Sequence, residues 1–290
     1  MMQAHKTVVE MLKAATDYLA GKGVEQSRLA CELLASRLLN CKRLELYLKF
    51  NTVLSEKKLE AMRRGVRRVA GGEPIQYVLG QADFMGRTFK VDKHALIPRP
   101  ETELLVEQVL QCDALWQKDK PVVADIGTGC GCVVISLALE KPSALYVGLD
   151  VSSEALELAH ENASAFGLEE KIALAHAELS DFAEPESIDA IIANLPYVST
   201  GEYEKLPVHI REHEPRVALD GGPDGLSLIE PAVQDAVIAL KPGGFLFLEI
   251  GEKQGETVKT LLNNSGFCGV AIRKDFAEKD RVVWCLRPGE

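Results

Sequence analysis

Asn194-Leu195-Pro196-Tyr197 follows directly on the apolar run Ile188-Asp189-Ala190-Ile191-Ile192-Ala193. Such a run reads as a buried parallel strand, so the four residues fall at its carboxyl end, where open α/β sheets bind ligands. An asparagine there offers a carbonyl oxygen that accepts and an NH₂ that donates. Leu195 precedes a proline and is held extended, which lets its carbonyl point into a pocket. Tyr197 adds a flat apolar face with a polar tip. Together the four suit the grip of a small planar group carrying an NH₂. Taken alone, the stretch reads equally as a strand followed by an Asx-type turn.

A second constellation lies upstream. Asp125-Ile126-Gly127-Thr128-Gly129-Cys130-Gly131 stands between a strand and a helix, and its glycines permit a tight turn and close backbone approach to a ligand. Asp150, 19 residues past Gly131, ends the following strand, where an acid accepts hydrogen bonds from ribose hydroxyls. The glycines alternate and so miss the G-x-G-x-x-G spacing of dinucleotide sites. The acid at Asp125 also suits a cationic amine better than a pyrophosphate. S-adenosyl-L-methionine is a ligand of that kind, with a sulfonium and an ammonium at one end and ribose and adenine at the other. The expected cofactor residues are Asp125, Gly127, Thr128, Gly129, Cys130, Gly131 and Asp150, with Asn194 on the neighbouring strand end. Beyond the third strand, Glu178 could bond the adenine amine and Leu179 could pack on the ring. Asp181-Phe182 could serve the same purpose.

The elements that must position these residues are legible as periodicities. Residues 1–80 read as a small helical bundle. Val8, Met11, Leu12, Ala15 and Leu19 recur at helical spacing up to Gly21-Lys22-Gly23, and Ser27 is placed to cap a second helix. A third piece runs through Arg43–Leu48, and Ser55 caps a helix from Glu56 to about Ala70 that carries Arg63, Arg64, Arg67 and Arg68. Residues 81–100 read as a connector with a short hairpin around Gly86. From residue 101 to 290, strands at 122–125, 144–150, 172–175, 188–193, 245–250, 269–272 and 281–286 alternate with helices, among them 225–240 and 252–265. That alternation predicts a doubly wound α/β fold with a mostly parallel seven-stranded sheet.

These residues are similar to the HemK/PrmC glutamine methyltransferases, which modify peptide-chain release factors. The resemblance covers nearly the whole chain. It is carried by Gly72-Glu73-Pro74-Ile75-Gln76-Tyr77-Val78-Leu79-Gly80, Leu96-Ile97-Pro98-Arg99-Pro100-Glu101-Thr102-Glu103, the Asp125–Gly131 loop and the Asn194–Tyr197 stretch. Glu214-Pro215, Ala218-Leu219, Gly221–Leu226 and Asp280-Arg281 continue it. The resemblance implies a Rossmann-like class I methyltransferase domain behind a helical substrate-docking bundle. It also implies methyl transfer from S-adenosyl-L-methionine to the glutamine of a Gly-Gly-Gln motif in class 1 release factors. Asn194, Leu195, Pro196 and Tyr197 would form the catalytic tetrapeptide, with Tyr197 packed on the glutamine amide plane. The family's usual tetrapeptide is Asn-Pro-Pro-Tyr, so Leu195 is a departure that removes one stiffening ring.

Charge and composition narrow the alternatives. The chain has 290 residues, 47% hydrophobic and 26% charged, with a net charge of −10. Residues 1–80 hold 14 Lys/Arg against 8 Asp/Glu, whereas residues 81–290 hold 19 against 35. A catalytic half this acidic disfavours an adenine amino-methyltransferase, which needs a basic face for phosphates. A sister activity on a ribosomal-protein glutamine and a non-catalytic cofactor-binding adaptor are the other rivals. The basic helical part suits an acidic protein partner or simply a solvated face. No apolar run approaches the roughly 18 residues of a membrane span, and the amino terminus lacks a secretion signal's apolar core. The expected location is therefore cytoplasmic. Seven cysteines without a C-x-x-C pair, and six histidines without a ligand cluster, predict no metal.

Overall fold

A computed structural model describes residues 6–289. The chain divides into two compact units, one comprising residues up to Gly80 with Pro207–His213, the other Gln81–Leu206 with Glu214 onward.

In the smaller unit, α1 (Val8–Gly21), α2 (Ser27–Leu39), a 3-10 turn (Arg43–Lys49), α3 (Glu56–Ala70) and α4 (Ile75–Leu79) bury Leu19, Cys31, Ala35, Leu46 and Met62 between them. α1 starts at a capping box: Thr7 accepts the Glu10 N–H, and Glu10 accepts the Thr7 N–H. The second start differs from expectation. Gln26 occupies the N-cap of α2, and the Ser27 hydroxyl donates backward to the Val24 carbonyl instead of accepting from the helix. The arginine stripe of α3 is largely paired within its own unit. Arg63 bonds Glu56 at 2.5 Å and Glu60 at 3.1 Å, Arg67 bonds Glu60 at 3.0 Å, and Arg68 bonds Glu73 at 2.5 Å.

In the larger unit, β1 (Gln81–Phe84) and β2 (Arg87–Lys90) form a hairpin whose turn residues, Met85 and Gly86, both have positive φ, as a two-residue turn of matching twist demands. Then follow α5 (Pro100–Leu110), α6 (Asp113–Trp116), β3 (Val122–Ile126), α7 (Cys132–Glu140), β4 (Leu145–Asp150), α8 (Ser153–Ala165) and β5 (Ile172–His176). The chain continues through α9 (Leu179–Phe182), β6 (Ile188–Ala193) and α10 (Thr200–Tyr203), passes through α11 (Val208–His213) of the smaller unit, and returns in α12 (Ile229–Ala239). It ends in β7 (Leu240–Glu249), α13 (Gly255–Asn264), β8 (Cys268–Lys274) and β9 (Asp280–Leu286). The seven-stranded sheet runs β5-β4-β3-β6-β7-β9-β8. Its first five strands are parallel, and β9 and β8 close it antiparallel. The order reverses between β3 and β6, and that switch point brings the glycine loop and Asn194 to adjacent strand ends.

Several boundaries depart from the sequence reading, among them the start of β7, which lies at Leu240 and not at 245. The 81–100 connector belongs to the larger unit, because Phe84, Phe89, Val91 and Ile97 are buried and Asn162 of α8 exchanges hydrogen bonds with the Lys90 backbone at 2.7 and 2.9 Å. Pro207–His213, expected inside the catalytic domain, groups with the helical unit, where Gly72 lies against the His213 ring. Helix α12 begins at Ile229, not 225, since the Gly221–Leu226 segment turns back on itself through Ser227 N–H to Gly221 O at 3.0 Å.

Asp189 ties the amino-terminal end of the sheet. Its carboxyl, 4% exposed, accepts the Val122 N–H at 3.0 Å, Lys118 Nζ at 3.1 Å and Lys241 Nζ at 2.6 Å. Burial raises this carboxyl, but Lys241, the Val122 amide and Lys118 outweigh it and hold it below the ordinary aspartate range. The stability it lends is therefore present above the unfolded-state value and lost as pH falls through the lower folded one. Asp189→Ala strands two lysines and an amide and is expected to destabilise the larger unit by about 2–4 kcal/mol, read from the urea midpoint.

Among the described residues no helix is long and apolar enough to cross a membrane. No group of three or more His, Cys, Asp or Glu among them could hold a metal ion.

Candidate active site

A cavity of about 390 Å³ opens at the switch point of the sheet, within the range of small-molecule sites. It runs from the Glu178-Leu179 corner past Asp150 and the glycine loop to Asn194, Leu195 and Pro196.

The loop after β3 is built to approach a ligand. Gly127, Gly129 and Gly131 all have positive φ (70°, 55° and 81°), a conformation that side chains rarely adopt. The Gly127 and Thr128 amides both donate to the Leu149 carbonyl, at 2.8 and 2.9 Å. The Gly129 amide donates to Asp150 Oδ2 at 2.8 Å, while Asp150 Oδ1 accepts the Ser152 N–H at 2.9 Å. Asp150 therefore shapes the loop and still faces the cavity with lone pairs to spare. Gly131 does something else. It does not line the cavity, and a Cβ there would stand 2.9 Å from Ile135 and 3.3 Å from Ala159. Its smallness lets α7 pack on α8.

Asp125 is fully buried at the cavity wall, and Thr128 Oγ1 donates to its Oδ2 at 2.7 Å. Burial pushes its carboxyl up to about 7, and the Thr128 hydroxyl pulls it back against the added charge of Asp150. A group poised there ionises readily beside a cation. Of the two candidates for an adenine contact, Glu178 and Leu179 line the cavity, whereas Asp181 and Phe182 do not, and Phe182 is exposed. Cys130 and Cys132 also border it as free, buried thiols. Acidic groups for an ammonium and a ribose, a glycine cradle and an apolar corner fit S-adenosyl-L-methionine in kind and order.

At the other end, Asn194 Nδ2 donates to Thr102 Oγ1 at 3.1 Å, which turns Oδ1 the opposite way. The Leu195 side chain packs on the core and over Gly127, where a Cβ would meet it at 3.3 Å. The Gly221–Gly225 segment packs tightly on the residues that follow Leu195. A Cβ on Gly221 would lie 2.4 Å from the Pro196 carbonyl, and one on Gly225 would lie 2.2 Å from that of Tyr197. Gln254 Nε2 donates to the Tyr197 and Gly225 carbonyls at 3.0 and 3.1 Å. Tyr197 itself does not line the cavity, contrary to its expected place on a substrate plane. Its phenol donates to buried Glu249 at 3.0 Å.

Sequence reading gave no site role to several residues that line this cavity. Thr102 is one. Arg99 is another, held by a single Nη2 reaching both oxygens of buried Glu214 at 2.5 and 2.6 Å. Val217 and Leu228 add an exposed apolar rim, and Asp235 a carboxyl raised by burial near Glu178. Each comes from far along the chain and carries no local pattern. Arg99 and Thr102 do stand together in the 96–103 run that carries the family resemblance.

Comparison with known proteins agrees with this geometry. Residues 10–80 match the PrmC N-terminal domain and residues 100–211 the methyltransferase small domain. The chain is 36% identical over 287 residues to the release factor glutamine methyltransferase of Chlorobaculum tepidum, covering 97% of each chain. It is 39% identical over 277 residues to that of Geobacter sulfurreducens, covering 96% of this chain and 95% of the relative. A solved methyltransferase from Pyrococcus furiosus shares the fold with a TM-score of 0.53 at 17% identity, over 77% of this chain and 97% of that one. The chain belongs to the release factor glutamine methyltransferase family.

Proposed function

We propose that the chain transfers a methyl group from S-adenosyl-L-methionine to the side-chain amide nitrogen of the glutamine in the Gly-Gly-Gln motif of class 1 release factors. The observation that carries this reading is the orientation of Asn194, whose oxygen is left for an N–H donor at the end of a cavity suited to the methyl donor.

An amide nitrogen is a poor nucleophile because its lone pair is shared with the carbonyl. The Asn194 side-chain oxygen and the Leu195 carbonyl would take its two N–H groups and aim the lone pair along the cavity. That is catalysis by positioning and by dipoles set in advance. The bound cofactor supplies the electrophilic methyl. Asp125 would face its ammonium, Asp150 its ribose hydroxyls, and Glu178 with Leu179 its adenine. A strong base is not needed, since the methylated amide loses its extra proton readily to water. Pro196 holds Leu195 extended, and the Val217 and Leu228 rim offers apolar surface to the peptide beside the glutamine.

The test is incubation with labelled S-adenosyl-L-methionine and, separately, purified release factor, ribosomal proteins and DNA. Label is expected in the release factor alone. Label in a ribosomal protein supports the sister activity, label in DNA the adenine reading, and binding without turnover an adaptor.

A further inference from the structure

Glu249, the last residue of β7, has no part in the chemistry above, yet its carboxyl is 2% exposed in the centre of the unit. Its Oε1 accepts the Tyr197 phenol at 3.0 Å, the Thr102 hydroxyl faces the same carboxyl, and Oε2 has no close hydrogen-bond partner. Thr102, 3% exposed in the first turn of α5, accepts the Asn194 Nδ2–H. Three elements distant in sequence thus converge around one carboxyl: Tyr197 bonds it directly, and Asn194 bonds Thr102, whose hydroxyl lies beside it.

The direction of these bonds matters more than their number. A hydroxyl has one proton and two lone pairs. Where Thr102 gives its proton to the carboxyl, its oxygen can only accept from Asn194, and the amide must turn its NH₂ inward and its oxygen to the cavity. Where that proton is free, Thr102 can donate to Asn194 Oδ1 instead. The amide then rotates by half a turn and presents NH₂ to the cavity, opposing the N–H groups of an incoming amide. The two ends of an asparagine amide have nearly the same shape, so packing cannot choose between these states. Hydrogen bonding must.

We propose that Glu249, acting through Thr102, is a positioning residue that sets the polarity of the Asn194 amide. This rests on the glutamine-methyltransferase reading of the site. Burial raises the Glu249 carboxyl, while the Thr102 and Tyr197 hydroxyls and the Arg281 charge oppose that rise and Glu101 adds to it. The group is thus held at a cost that a packing role alone would not require.

The test uses the full chain. Thr102→Val keeps the shape and removes the hydroxyl, and is expected to lower kcat about tenfold or more with cofactor affinity held within about twofold. Thr102→Ser is expected to recover most of kcat. Glu249→Gln, which brings a competing NH₂ donor to the same place, is expected to lower kcat as Thr102→Val does. The Asn194 side-chain amide signal in a ¹⁵N–¹H spectrum, identified by its loss in Asn194→Ala, should shift and exchange faster in Thr102→Val and Glu249→Gln but not in Thr102→Ser. If Thr102→Val does not fold, the contrast of Thr102→Ser with Glu249→Gln decides. Folded Thr102→Val or Glu249→Gln protein with wild-type kcat and an unmoved amide signal overturns the proposal. Should the wild-type chain methylate no glutamine while the amide signal moves as described, the positioning stands and the assigned substrate falls.

Discussion

Replacing Asn194 with alanine is expected to lower kcat by about 10²–10³-fold and to leave cofactor affinity within about threefold of wild type. The size follows from what the side chain does. On the proposed mechanism it supplies one of the two acceptors for a nucleophile that has little reactivity of its own, so most of the barrier reduction would come from aim. Asn194 stands at the cavity's far end from Glu178-Leu179, and Asp125, Asp150 and the glycine loop hold their bonds to one another without it. The loss should appear equally in kcat and kcat/KM for the acceptor, the signature of an interaction made in the transition state. Single-turnover kinetics together with calorimetric titration of the cofactor separate the two effects. Wild-type turnover in Asn194→Ala would remove the positioning role.

Asp150→Ala is expected to act in the opposite sense, weakening S-adenosyl-L-methionine about 10²-fold or more while sparing kcat at saturating cofactor. Two of its lone pairs already hold the Gly129 and Ser152 amides, and the others face the cavity. Each charge-assisted bond to a ribose hydroxyl contributes about 1.5–3 kcal/mol, and the loop loses its anchor as well. Two such bonds suffice for the stated loss at 1.4 kcal/mol per tenfold. Calorimetric titration gives the dissociation constant directly. A value within about threefold of wild type would mean that Asp150 serves only the backbone turn.

The central strands of the sheet were legible because they are buried on both faces and so appear as near-continuous apolar runs, Ile188–Ala193 above all, broken only by Asp189. The glycine loop was legible for the same reason that it works: alternating glycines are rare except where backbone must turn left-handed. Leu195 was legible as a departure, but the packing that fixes the stretch was not, because it comes from Gly221, Gly225 and Gln254, 26 to 59 residues further on. The family resemblance is what puts Tyr197 on the substrate side. Its actual partner, Glu249, lies 52 residues away on another strand, and no spacing rule joins them. Gly131 belonged to the motif yet serves helix packing. Local pattern marked most of the residues at one end of the cavity. The acceptor end is assembled from separate segments, Thr102, Asn194 and Glu249, that only the fold brings together.

The most direct measurement is tandem mass spectrometry of a release factor after incubation with the chain and S-adenosyl-L-methionine. A single added methyl on the side-chain amide of the Gly-Gly-Gln glutamine, absent when Asn194→Ala replaces the wild-type chain, is the expected result. A methyl on any other residue, or an unmodified glutamine under conditions where the cofactor is consumed, would contradict the account.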